Sequence, residues 1–127
     1  MENPNIAVKD RFISAVLSRQ KDKIGDLLDP NFELYQATGL EYAGVYKGHQ
    51  GFITFLDKYS LTHTTDSIDL INTFVSTSNP DILVLELRSR GMLNSSGRKF
   101  DSTVLERWEF REGKLRSIVP HWFEIPK

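Results

Sequence analysis

A chain of 127 residues is the size of one domain, and at that length roughly two-thirds of the unfolded surface can be buried around a single core. Sixteen basic residues against seventeen acidic ones leave a net charge of -1 with no basic cluster, which argues against nucleic acid as a partner because phosphate binding needs a concentrated basic face. The absence of cysteine excludes disulfides, thiol catalysis and cysteine zinc sites, and no apolar run approaches the ~20 residues of a membrane span.

The opening segment MENPNIAVKDRF has neither a basic stretch nor an apolar one of the kind that directs secretion, so a cytoplasmic protein is expected. From Asn5 to Arg19, Val8, Phe12, Ala15 and Val16 recur at helical spacing opposite Lys9, Asp10, Ser14 and Ser18, with Asn3 or Asn5 available as the cap. Asp22 is placed to cap a short second helix that buries Ile24, Leu27 and Leu28 and stops at Pro30. Phe32 to Gln36 alternates as a short strand, and a loop or ragged strand follows around Tyr42, Val45 and Tyr46. Gly48 and His49 open a third helix whose Phe52, Ile53, Phe55, Leu56 and Tyr59 form an apolar stripe. From about Asp66 the pattern changes to period two, with Ile68, Leu70, Asn72 and Phe74 set against Asp69, Ile71, Thr73 and Val75. Helices first and long antiparallel strands afterwards predict an α+β fold in one domain over 1–127, with helices on one face of a curved sheet.

The last three strands can be aligned by arithmetic. Ile82 to Leu93 is one strand, and a turn at Asn94 to Gly97 places Leu83 against Trp108, Leu85 against Glu106 and Leu87 against Val104. A three-residue Arg111-Glu112-Gly113 loop closing Phe110 on Lys114 would place Ile118 against Glu106 and Pro120 against Val104. Opposed residues share a face. One face then carries Leu83, Leu85, Leu87, Val104, Glu106, Trp108, Ile118, Pro120 and Trp122. The other carries Ile82, Glu86, Arg88, Thr103, Leu105, Arg107, Val119, His121 and Phe123, a mixture of charge and apolar surface suited to a subunit contact.

The segments LLDPNFEL, YKGHQGFITFL and WEFREGKLRSIVPHWFEI, in this order of elements, resemble the NTF2-like superfamily, in particular its SnoaL-like and ketosteroid-isomerase-like branch. The resemblance implies a cone: a strongly curved antiparallel sheet wrapped around an N-terminal helical hairpin and a third helix, with a pocket inside and commonly a homodimer through the outer sheet face. It puts Glu106 where those isomerases have an acid that hydrogen-bonds the substrate oxygen, and Trp122 where an aromatic residue lines the pocket. Their proton-abstracting aspartate falls at Gln36 or Tyr35, neither of which can be a carboxylate base. Their first-helix tyrosine falls near Ile13 or Ser14, so steroid isomerisation is not the expected reaction.

Glu106 is the candidate catalytic residue, because Leu85, Val104, Trp108 and Ile118 around a carboxyl disfavour its charge and bring its proton exchange toward neutrality. An acid held by an arginine or a backbone amide for shape alone is the competing reading. Trp108 and Trp122 can form a wall for a ring-shaped ligand, with Leu85 and Ile118 as floor and Tyr35, Gln36, Tyr46 and Tyr59 as polar tips. Leu105, His121 and Phe123 are the candidate dimer contacts. His49, His63 and His121 are scattered without metal-ligand spacing, so neither a metal nor a cofactor is expected. Two functions remain open: a pocket that binds a small hydrophobic, ring-containing molecule, with or without acid–base chemistry of isomerase, cyclase or hydrolase type, and a non-catalytic association module whose cone is packed solid.

Overall fold

The computed structural model describes residues 2–126, with three helices and a six-stranded sheet in the order α1 (Pro4–Leu17), α2 (Lys21–Leu27), β1 (Leu28–Gln36), β2 (Gly44–Lys47), α3 (Gly48–Thr62), β3 (His63–Val75), β4 (Ile82–Leu93), β5 (Lys99–Arg111) and β6 (Lys114–Trp122). The strands are ordered β2-β1-β6-β5-β4-β3 in a curved, unclosed sheet. It is mixed rather than purely antiparallel, because β1 runs parallel to β6. That pairing follows from chain order: β1 enters from the helical hairpin and docks on the last strand.

Asn3 caps α1 by accepting from the Asn5 amide at 2.8 Å, and Pro4 occupies the first turn, where a missing N–H costs nothing. Lys9 does not sit on the solvent face as its polarity suggests. It is buried, paired with Asp10 at 2.8 Å, and donates to the Thr73 hydroxyl at 3.3 Å, pinning α1 over β3. Buried Asn5 adds bonds to the Pro80 carbonyl and the Asp81 carboxylate in the β3–β4 turn. The second helix ends at Leu27, before Pro30, which falls in an irregular stretch of β1 where Asp29 accepts from the Asn31 amide.

The β4–β5 register matches the alignment above, with Leu83 on Trp108, Leu85 on Glu106 and Leu87 on Val104. The β5–β6 register differs by two. The hairpin closes Arg111 on Lys114 through a two-residue turn in which Glu112 and Gly113 both have positive φ, 49° and 78°, and a bulge at Arg116 restores the alternation. Glu106 therefore faces Pro120, and Val104 faces Trp122. A shift of two leaves every side chain on the face already assigned to it.

In β3 the expected alternation fails. Irregularities beside Asp66 and Ile71 re-phase the strand, so that Ile68, Leu70, Thr73 and Val75 share the concave face while Asp69, Asn72 and Phe74 face outward. The core lies between that concave face and the helices. Phe12 of α1 meets Trp108 edge-on at 5.4 Å and Phe52 of α3 at 5.3 Å, over Leu34, Leu83, Leu85, Phe110, Leu115 and Ile118.

Candidate functional site

The strand registers set the concave side chains in rows. One row runs Leu34, Ile118, Trp108, Leu83 and Val75, beneath α1 and α3. The next, two residues along, has Pro120, Glu106, Leu85 and Thr73, with Gln36 two residues beyond Leu34 on β1. The third carries Trp122, Val104, Leu87 and Leu70. Burial falls from the first row to the third. Trp108 is 3% exposed, whereas Gln36, Glu106, Leu87 and Trp122 are half-buried, as are Ile13 and Val16 of α1 and Phe55, Leu56 and Tyr59 of α3. One end of the concave face is thus filled, and the other retains access to solvent.

Glu106 lies at this transition. Its Oε1 accepts from the Trp108 indole N–H at 3.0 Å, a contact that two residues on one face of a strand make naturally. Loss of solvation among its apolar neighbours outweighs that bond, which favours the charged form, and pushes the carboxyl up from 4.5 to about 7. Neither an arginine nor a backbone amide holds Glu106 among the described hydrogen bonds and ion pairs. Trp108 gives the site its N–H, but its ring is spent in the core against Phe12.

Trp122 and Gln36 flank the same spot. Gln36 follows Leu34 by two residues on β1, so alternation gives it the concave face. Trp122 is the diagonal neighbour of Glu106, about 7–8 Å away. Both flanking residues hold a buried polar atom without a partner, Gln36 Oε1 and Trp122 Nε1. Buried polar atoms are nearly always bonded, which sets these two, with His63 Nε2, apart from the rest of the interior.

Two residues that sequence reasoning passed over close the far side. Tyr42, in the segment joining β1 to β2, is 2% exposed and its ring meets Phe55, Tyr59 and His63 at 5.1–5.5 Å. Burial first, then Tyr59, Glu106 and Tyr46, hold its phenol well above the ordinary range. His63 is buried, stacked on Tyr59 at 4.7 Å, and shares a 2.6 Å hydrogen bond between Nδ1 and the Thr62 hydroxyl, while its Nε2 has no partner. Burial lowers its pKa, keeping the ring neutral at pH 7. The surrounding run of aromatic residues was visible in the sequence; that a loop tyrosine would fold inward was not. Tyr59 itself is bonded to the Thr65 hydroxyl at 2.7 Å.

Of the residues expected to line the pocket, Leu85 and Ile118 lie on the concave face but are fully packed, at 0% and 3% exposure. Tyr35 does not belong there. It pairs with exposed Val45 on the convex face, beside Glu33, because strand alternation gives the inward position to Gln36. Leu105 and His121 oppose each other on that convex face, and Phe123, just beyond β6, is 91% exposed. A groove of about 500 Å³ between α1 and β3 is lined by Asp10, Ile13, Ser14, Leu17, Ser18 and Leu70, at the β3 edge of the sheet, and neither Glu106 nor Trp122 lines it.

No protein-family model matches the chain, and no curated protein does. Solved structures do. An NTF2-like protein from Burkholderia xenovorans superposes with a TM-score of 0.82 at 17% identity, over 96% of this chain and 91% of that one. TerC, co-crystallised with polyporic acid, gives 0.76 at 18% identity over 94% and 91%. A protein from Catenulispora acidiphila with a ketosteroid-isomerase-like fold, in complex with trimethylamine, gives 0.72 at 9% identity over 90% and 83%.

Proposed function

Since this chain has the NTF2-like fold, we propose that its concave face binds a small hydrophobic, ring-containing molecule between Trp122, Leu87 and Glu106, with Glu106 as the acid–base group. The observation that carries this reading is a carboxyl poised at about 7 where the core gives way to half-buried residues on the concave face. At that value the group is present in both protonation states near neutral pH, which suits a residue that donates and accepts a proton in one cycle. Neighbours of the same fold hold small molecules, polyporic acid in TerC and trimethylamine in the Catenulispora protein. The packing of Phe12, Phe32, Phe52 and Trp108 is what a solid association module would show, but the half-buried rows beyond it favour a ligand.

The test is titration of ¹⁵N-labelled protein with naphthalene as an apolar ring probe, alongside native mass spectrometry for a co-purified molecule. Shifts concentrated at Val104, Leu87 and the Trp122 indole are expected. An unperturbed spectrum up to the solubility of naphthalene, or shifts confined to the convex face, would overturn the pocket. The same reading includes a homodimer through the convex face, where Leu105 and His121 lie.

A further inference from the structure

We propose that Trp108 is the positioning residue of Glu106: its indole N–H holds Oε1, so that the carboxyl exchanges its proton through Oε2. This rests on the acid–base reading above and states which group fixes the acid and which of its atoms reacts. Two features carry it. The indole nitrogen lies 3.0 Å from Oε1, the one hydrogen bond that Glu106 makes among the described residues. The ring that supplies it is 3% exposed and wedged, edge-on to Phe12 at 5.4 Å and tilted against Phe110 at 6.4 Å, so the donor cannot turn away without opening the core under α1.

An indole N–H donates and never accepts, so Oε1 is the acceptor in both protonation states. In the acid form Oε1 is therefore the carbonyl oxygen and Oε2 carries the proton. The indole approaches from the filled row of the concave face, which leaves Oε2 as the oxygen for a ligand. A bond from an immobile ring holds the flexible glutamate side chain in one orientation without ordering a second flexible group. The same bond sets acid strength. A hydrogen bond to an ionised acceptor is about twice as strong as one to a neutral acceptor, so the N–H favours the carboxylate and opposes the desolvation around it. The other titratable groups on this side of the sheet are Lys9 of α1, over Thr73 in the row of Glu106, Tyr42 between β1 and β2, Tyr59 of α3 and His63 of β3. None of them bonds Glu106 among the described residues.

The experiment follows the ¹³Cδ resonance of Glu106 against pH in the parent, Trp108→Phe and Phe12→Leu. Trp108→Phe keeps a flat apolar ring and removes the N–H, whereas Phe12→Leu keeps the N–H and loosens the packing on the same ring. The two act with opposite sign: losing the N–H raises the midpoint, and loosened packing admits water and lowers it. We expect Trp108→Phe to raise the midpoint by about one unit, a tenfold change in the acid constant, and Phe12→Leu to leave it in place or lower it. A midpoint that falls or stays in Trp108→Phe, or that rises as far in Phe12→Leu, would overturn the positioning role and leave Glu106 as the acid. A parent midpoint near 4.5 would remove the acid itself, and the positioning role with it. Should Trp108→Phe fail to fold, Glu106→Gln decides. In the parent the Trp108 indole proton should move downfield as Glu106 ionises, and in Glu106→Gln it should hold still between about pH 5 and pH 9. An indole proton that titrates equally in both, or in neither, would overturn the assignment.

Discussion

Glu106 holds its proton to about pH 7 because its apolar neighbours on the concave face solvate a carboxylate poorly, and the Trp108 N–H returns only part of what is lost. The sign of the resulting pH dependence follows from linkage. The folded-state value lies above the unfolded one, so the folded protein binds the proton more tightly. The stability this contributes is complete below about pH 4, and is lost as pH rises through about 7. Allowing for the partial exposure of the residue, the loss is about 2 kcal/mol. Glu106→Gln keeps the shape and removes the charge, so urea unfolding should show the variant gaining about 2 kcal/mol on the parent between pH 5 and pH 8.5. In the parent, the Trp108 indole resonance should titrate with a midpoint near 7 while that of Trp122 stays still. A stability difference that does not change with pH, or a midpoint near 4.5, would remove Glu106 from any acid–base role.

Among the elements, the strands whose turns obey simple rules were legible and those with bulges were not. The turn at Asn94 to Gly97 fixed the β4–β5 pairs correctly, because an evenly alternating strand on each side leaves one register that buries Leu83, Leu85 and Val104 together. The closing hairpin was misjudged by two residues, since Glu112 adopts a positive φ that its residue type does not advertise and Arg116 bulges out of the ladder. The inward set survived, with Glu106 and Trp122 on the concave face. Tyr35 and Phe74 were misplaced for opposite reasons: Tyr35 by one step of alternation beside Gln36, and Phe74 by a bulge near Ile71 that no local residue signals. Lys9 was missed because its partner Thr73 is remote in sequence. A related close contact gives a sharp test. A Cβ on Gly91 would lie 2.2 Å from the Thr64 carbonyl oxygen and 3.0 Å from the Thr65 Cα, so backbone rather than a movable side chain is in the way. Gly91→Ala should force β3 off β4 and cost more than about 2 kcal/mol in urea unfolding, with exchange of the β3 amides rising first. A loss under about 0.5 kcal/mol would show that β3 is not held there.

At the scale of the whole molecule, the two faces of the sheet differ in what covers them. The concave face is covered by helices except at the half-buried rows, whereas the convex face has no helix on it and presents Val45, Tyr35, Phe74 and Leu105 at 39–51% exposure. Register puts Val119, Arg107, Val84 and Phe74 in one transverse row, with Leu105 and His121 in the next and Val45 beside Tyr35 at the β2 end of the sheet. An apolar band this long is more than scattered surface residues account for. Its charges are arranged to be covered: Arg107 pairs with Glu109, and Asp101 is held below the usual carboxylate range by bonds from Arg88, with Arg90 beside it. A second copy about a two-fold axis would lay one band on the other, as an isologous contact requires. Sedimentation velocity should therefore find a dimer at micromolar concentration, and Leu105→Glu with Phe74→Glu, both outside the concave site, should shift it to monomer without loss of naphthalene binding. Burying the four carboxylates that the double variant brings to a two-fold interface costs several kcal/mol, enough to move dissociation by about three orders of magnitude. A parent chain that sediments as a monomer at the highest concentration tested would remove Leu105, His121 and Phe123 from any interface, and the concave site would then have to function in a single chain.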